Sequence, residues 1–195
     1  MTDSSASIAA LVLAAGSSRR MGACNKLLLE VGGQPMVRRV VQSLHAAGLS
    51  AVHVVTGHEA PRVREVLSGE LVVFTHNEHH RHGMGTSLAR GAESLPDDCD
   101  AVMVCLGDMP FIESHTIALL LQEFARRPRP AIVAPQYRGR LGHPVVFSRG
   151  YFGALMELEG DRGARPIIED AGGAFFVVDV DDGAVLDDID KEDDL

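Results

Sequence analysis

Ile8-Ala-Ala-Leu-Val-Leu-Ala14, running on into Ala15-Gly-Ser-Ser-Arg-Arg-Met-Gly-Ala-Cys-Asn-Lys26, is the stretch on which the fold turns. An apolar run with no polar alternation reads as a strand buried on both faces. It ends abruptly in a small, basic, glycine-containing loop. Gly16 and Gly22 let the backbone come close to a ligand, and exposed N–H groups in such a loop bind anions. Arg19, Arg20 and Lys26 add positive charge, and arginine can hold a phosphate through two parallel hydrogen bonds. The stretch therefore reads as a phosphate cradle. A P-loop is excluded, because Gly22 is followed by Ala23-Cys24-Asn25 before Lys26 and the Gly-Lys-Ser/Thr ending is missing. A dinucleotide fingerprint is excluded as well, because Gly16-Ser17-Ser18 lacks the second glycine.

Downstream, Leu27–Val31 reads as a short extended piece, turned by Gly32-Gly33. Pro35 suits a helix start, and Met36, Val37, Val40, Val41 and Leu44 form a helical apolar stripe that Gly48 ends. Strands are expected over 51–56, 71–75, 101–106, 131–134, 145–147 and 175–180. Helices are expected over 61–67, from Thr86 or Ser87 as cap to Leu95, over 113–127, 151–158 and 164–170. The most apolar strand, Ala101–Leu106, is expected at the centre. Strands alternating with helices imply an α/β fold with a mostly parallel sheet and helices on both faces.

A length of 195 residues suits one domain, 1–195, with 1–7 flexible; the apolar fraction of 46% is enough for a sizeable core. The net charge of −9 argues against a broad nucleic-acid or anionic-membrane surface. It also sets up a tension with a phosphate loop, which a divalent metal would relieve. The three cysteines, Cys24, Cys99 and Cys105, form no close pair, so a reducing cytoplasm is the expected compartment. The first residues lack the basic region of a signal peptide, and no apolar run has membrane-spanning length. The last fifteen residues hold eight acids and one lysine, a composition that reads as a frayed solubilising tail.

In open α/β sheets, ligands sit beyond the carboxyl ends of the strands. That rule selects the loop after the first strand and Asp108, directly after the 101–106 strand. A carboxylate so placed is a natural ligand for a magnesium ion bridging phosphates. A second carboxylate could come from Asp187, Asp188 or Asp190, provided the C-terminal segment folds back to that crevice with Ile189 and Leu195 as anchors. His76, His79, His80 and His82 crowd one loop but lack the partner spacing of a zinc site, and read as a solvated or substrate-facing loop. Cys24 has no base beside it in sequence to mark it as a nucleophile. Cys105 reads as core, and Arg126-Arg-Pro-Arg129 as a basic helix end favouring the helix dipole.

Leu13-Ala-Ala-Gly16, Arg20-Met-Gly22, Asn25-Lys26, Leu106-Gly-Asp-Met-Pro110, Gly142-His-Pro-Val145, Gly160-Asp-Arg-Gly-Ala-Arg165 and Asp188-Ile-Asp190 follow one another along the chain. Together they resemble the molybdenum cofactor cytidylyltransferase family, within the molybdopterin-guanylyltransferase-like superfamily. Leu-Ala-Ala-Gly resembles the cytosine-selecting form rather than the guanine-selecting one. The resemblance implies a Rossmann-like nucleotidyltransferase domain of the nucleotide-diphospho-sugar transferase kind. It implies a Mg2+-dependent, cytoplasmic enzyme that transfers CMP from CTP to molybdopterin carrying molybdenum and releases pyrophosphate. Leu13, Ala14, Ala15, Gly16 and Ser87 would meet base and ribose, and Arg20 and Lys26 the triphosphate. Asp108 and Asp190 would hold magnesium; His143, Asp161 and Arg165 would face the acceptor. Arg20, Lys26 and Asp108 would be catalytic. A recipient molybdoenzyme or its chaperone is an implied partner; nucleic acid and membrane are not.

Two departures from the family pattern stand out. Gly85-Thr86 replaces a more usual Ala-Ser, and the last motif reads Asp-Ile-Asp-Lys-Glu-Asp instead of Asp-Ile-Asp-Thr-Pro-Glu-Asp. Alternatives within and beyond the fold are a GTP-using or other-acceptor nucleotidyltransferase, an NAD(P)H-linked pigment reductase, and a nucleotide-sensing or chaperone-like binding protein.

Overall fold

The computed structural model describes residues 6–16 and 25–189. Strand β1 (Ile8–Ala14) alternates its small and branched side chains between two apolar layers. Ala10, Val12 and Ala14 face one layer, and Ala9 and Leu11 the other. Next come a two-strand ribbon, β2 (Glu30–Val31) and β3 (Gln34–Pro35), and helix α1 (Met36–Ala46). Then follow β4 (Val52–Thr56), α2 (Ala60–Val66), β5 (Val72–His76), α3 (Met84–Glu93) and β6 (Ala101–Leu106). The rest comprises α4 (Ser114–Arg126), β7 (Ile132–Tyr137), β8 (Arg140–Leu141), β9 (Val145–Ser148), α5 (Phe152–Met156), α6 (Arg165–Asp170) and β10 (Phe175–Asp179).

The main sheet runs β10-β7-β9-β6-β1-β4-β5, with β8 hydrogen-bonded to β7. β1 pairs in parallel with both β4 and β6, β4 with β5, and β7 with β10. The antiparallel strands are β9, which lies between β6 and β7, and the short β8 on β7. α1, α2 and α4 cover one face through Val37, Val41, Leu44, Val63, Leu120 and Phe124. α3 and α5 cover the other through Leu88, Ala92, Phe152 and Leu155. This is the expected α/β fold, with β6 in the middle of the sheet order. The chain moves outward from β1 to β4 and β5, then returns to place β6 on the opposite side of β1. That reversal opens a crevice beyond the carboxyl ends of β1 and β6, where ligands bind in sheets of this kind.

Several local expectations are corrected. Lys26–Leu28 form a 3-10 turn instead of an extended piece, because the Asn25 side chain accepts a hydrogen bond from the Leu27 N–H at 3.2 Å. α3 starts before Thr86 and Ser87, so neither caps it. Gly83, at φ +108°, turns the chain into the helix, and the Thr86 hydroxyl points back to the Gly83 carbonyl at 2.9 Å. The acidic C-terminal segment is not a frayed tail as far as Ile189. Val185 and Ile189 are buried, and the Val185 carbonyl accepts from the His143 N–H at 2.8 Å. The carboxylate of Asp182 accepts from the Glu113 N–H (3.1 Å) and the Thr116 hydroxyl (2.8 Å), and so caps α4 from a distance. Burial of a few well-spaced apolar residues here outweighs the composition of the segment. No helix of the described residues is long and apolar enough to cross a membrane.

Candidate active site

Lys26 and Asp108 enter the crevice from different elements. The short turn capped by Asn25 presents Lys26, and the end of β6 presents Asp108. The Lys26 Nζ lies 2.7 Å from Asp108 Oδ2, and the two side chains are only 15% and 19% exposed. Shielding of this order makes both charges effective toward a bound ligand, because little water screens them.

Beside the pair lies a cavity of about 360 Å3, lined by Leu13, Ala15, Gly16, His80, Arg81, Gly83, Met84, Ser87, Leu106, Asp108, Asp161 and Asp188. A second, of about 600 Å3, holds His143, Asp161, Arg162 and Arg165 over an apolar floor that includes Val104, Ala134, Val145 and Phe175. Leu13, Met84, Leu106 and Asp161 line both, so the two spaces adjoin. The structure thus brings Leu13, Ala15, Gly16, Ser87 and Asp108 to one space, and His143 and Arg165 to the next, with Asp161 on the boundary. Ala14 is fully buried at the end of β1 and lines neither. Arg20, Cys24 and Asp190 lie outside the described residues. Asp188 lines the first cavity, brought there by the returning segment, whose Ile189 N–H donates to the Asp108 carbonyl at 3.0 Å.

Asn77 is a site residue that motif reasoning did not single out. It is buried, and its amide nitrogen donates to Thr86 Oγ1 (2.9 Å) and Ser87 Oγ (3.0 Å), while its oxygen accepts from the His79 N–H (2.9 Å). It therefore holds Ser87 in the wall of the first cavity. The one sequence signal is an asparagine just after a strand, in a loop with two hydroxyls to satisfy. The histidines divide: His80 faces the first cavity, while His79 and His82 stack at 5.8 Å beside a separate groove under α3. Burial pushes the His80 pKa below its ordinary value, and the nearby Arg81, His58 and His76 push it further. Burial also lowers that of His143, against the opposing pull of the Asp108 and Asp188 carboxylates and the Val104 carbonyl. His143 is thereby held toward its neutral form, able both to donate and to accept a hydrogen bond.

Among the described residues, no three His, Cys, Asp or Glu side chains converge as a closed metal site. Asp108 and Asp188 do share one cavity, and Lys26 is paired with the first of them. Two carboxylates are the hard oxygen donors that suit a divalent cation completed by waters and substrate phosphates. The residues present fit such an ion. Cys105 is buried in the core, where burial pushes its thiol pKa far up, so it has no part in this chemistry.

The family model of the MobA-like NTP transferase domain matches residues 10–174. The bifunctional protein GlmU of Stenotrophomonas maltophilia is 30% identical over 150 residues, which is 75% of this chain and 32% of that protein. The chain thus spans about a third of the length of the curated relatives it matches. The crystal structure of Rv0371c from Mycobacterium tuberculosis H37Rv superposes with a TM-score of 0.85 at 27% identity, covering 97% of this chain and 96% of that one. Its complex with manganese gives a TM-score of 0.79 at 26% identity, covering 96% and 95% of the two chains.

Proposed function

The chain belongs to the MobA-like NTP transferase family, and from that premise we propose that it is a Mg2+-dependent cytidylyltransferase, transferring CMP from CTP to molybdopterin carrying molybdenum. The observation that carries this reading is the meeting of Lys26 and Asp108, 2.7 Å apart, with Asp108 in the wall of the first of two adjoining cavities. One cavity has the size and small-residue wall for a nucleotide. The other is apolar below, with Arg162 and Arg165 paired to Glu169 in its wall, and suits a flat heterocycle whose phosphate would take over those arginines.

In the proposed reaction an acceptor phosphate oxygen attacks the α-phosphorus of CTP. A new phosphorus–oxygen bond forms as the bond between the α-phosphorus and the bridging oxygen breaks, and pyrophosphate leaves with the bond electrons. No protein nucleophile is required. Lys26 binds the triphosphate, trading its contact with Asp108 for phosphate oxygens and meeting the charge that builds on the leaving group. Leu13, Ala15, Gly16 and Ser87 orient the nucleoside, and Arg20 is assigned to the triphosphate. Neutral His143, with Asp161 and Arg165, orients the acceptor so that attack is in line. Asp108, with Asp188 or Asp190, would hold the metal. When bound, the ion supplies charge neutralisation and a template for the phosphates. The manganese complex of the mycobacterial structure supports a divalent-metal site in this fold. A recipient molybdoenzyme or its chaperone is the proposed downstream partner, and the cytoplasm the proposed compartment.

The test is pyrophosphate release from each nucleoside triphosphate with magnesium and molybdopterin. Release with CTP alone supports the proposal. Release with GTP, or with another phosphorylated acceptor, keeps the reaction and overturns the substrates. No release with any triphosphate, together with oxidation of NADPH by a dye, overturns it in favour of a reductase.

A further inference from the structure

We propose that Gly83 and Gly85 are positioning residues: their bare backbone seats the 159–165 loop on the start of α3, and so sets the acceptor side of the cleft against the nucleotide side. For its functional half the inference rests on the two-substrate reading above. Its geometric half rests on contacts alone.

The contact is a seam of backbone on backbone. The Gly85 N–H donates to the Gly160 carbonyl at 2.8 Å. A Cβ built on Gly85 would stand 2.6 Å from the carbonyl carbon and oxygen of Glu159, closer than real Cβ contacts come. A Cβ on Gly83 would strike the Gly160 carbonyl outright, and would come within 2.7 Å of Asp161 Oδ1. The obstructing atoms are mostly main chain, which cannot swing aside as a side-chain tip does. Gly85 lies inside a helix at an ordinary φ, where propensity alone favours alanine. The seam, not the helix, is what requires glycine there.

What the seam joins gives it a consequence. Ser87 stands on the α3 side, and Asp161 and Arg165 on the loop side. Met84, between the two seam glycines, and Asp161, next to Gly160, are among the residues that line both cavities. A Cβ on Gly163 would sit 3.3 Å from Met84 Sδ, so the loop touches α3 again three residues later. Lifting residues 159–160 by the width of a methyl group therefore carries Asp161 and Arg165 away from the acceptor's place, while the Ser87 side of the nucleotide wall, fixed from behind by Asn77, stays where it is. Misplacement of a reacting group by about 1 Å can cost on the order of a hundredfold in rate.

The experiment uses the full chain carrying Gly85→Ala, with Gly173→Ala, whose Cβ would meet nothing within 4 Å, as the control. Amide hydrogen exchange without ligand, CTP affinity by calorimetry, and steady-state kinetics against molybdopterin are read in parallel. In Gly85→Ala, exchange across 159–165 is expected to quicken while 88–93 keeps its protection. CTP affinity stays within about twofold of wild type, and kcat/KM for the acceptor falls roughly a hundredfold. Gly173→Ala changes none of these. The inference is overturned if the loop's exchange is unchanged, if CTP affinity falls in step with acceptor turnover, or if acceptor turnover is unaffected. If no triphosphate binds the wild type, the proposed function fails, and exchange of 159–165 in the free protein still decides the seam. If Gly85→Ala does not fold, the wild type decides: free exchange of 159–165, as in an unanchored surface loop, overturns the inference, and protection equal to that of 84–87 supports it.

Discussion

Lys26 and Asp108 face each other beyond the end of β6, and this contact has the character of a site instead of a brace. A partly exposed ion pair of this kind contributes about 1 kcal/mol to stability, which in a domain of this size is about 2–4 °C in Tm. Its worth in the transition state is far larger, because a cation aimed at a leaving pyrophosphate acts on charge that only then develops. Lys26→Gln and Asp108→Asn are each expected to lower kcat roughly a thousandfold, about 4 kcal/mol of barrier, while Tm moves by a few degrees at most. Turnover and thermal melts on the same preparations check this. A melt that collapses alongside turnover would make the pair structural. At this scale the meeting of Lys26 and Asp108 was legible in the sequence, because the loop after the first strand and the residue after the 101–106 strand both fall at the carboxyl ends where such a sheet opens. Asn77 was not, since its role exists only once Ser87 and Thr86 stand within hydrogen-bond reach of it.

Among the elements, the returning 181–189 segment departs most from its composition. It is tied down at Asp182, which caps α4, at Val185 and Ile189, which are buried, and at the Ile189 N–H to the Asp108 carbonyl. Its net effect is to bring Asp188 to the cavity. Asp182→Ala removes the acceptor for the Glu113 N–H and the Thr116 hydroxyl. It is expected to cost about 1–2 kcal/mol, measured by denaturant midpoint with unchanged slope. No loss would mean that the cap is idle. Hydrophobic spacing along the chain could not expose this segment as structured, because two anchors four residues apart, set among acids, make too short a pattern. The opposite error touched α3. A hydroxyl-containing pair looked like a cap, yet the helix starts earlier, where Gly83 can take φ +108°.

Across the whole molecule, acid should loosen the fold. Burial lowers the pKa of His53 in β4, of His80 and of His143. The unfolded chain, with histidines near 6.5, then binds protons that the native state refuses. Stability from these groups is full above a pH of about 6.5 and is lost as pH falls through the interval down to their folded values. Tm at pH 5.5 is expected below Tm at pH 7.5, and His53→Gln is expected to narrow the gap. An unchanged gap in that variant would absolve His53.

The chain by itself determined the α/β class, the order of the main strands and helices, the central place of Ala101–Leu106 and the position of Asp108 just beyond that strand. These are properties of local periodicity and of which residue follows a strand, and both can be read within a dozen residues. Only the tertiary structure decided the rest. It set β9 antiparallel between β6 and β7, folded the acidic segment back so that Asp188 shares the Asp108 cavity, and laid the 159–165 loop on Gly83 and Gly85. Each of these depends on close packing between segments far apart in the chain. Partners of that kind are chosen by shape and by unsatisfied hydrogen-bonding groups, neither of which leaves a period in the sequence.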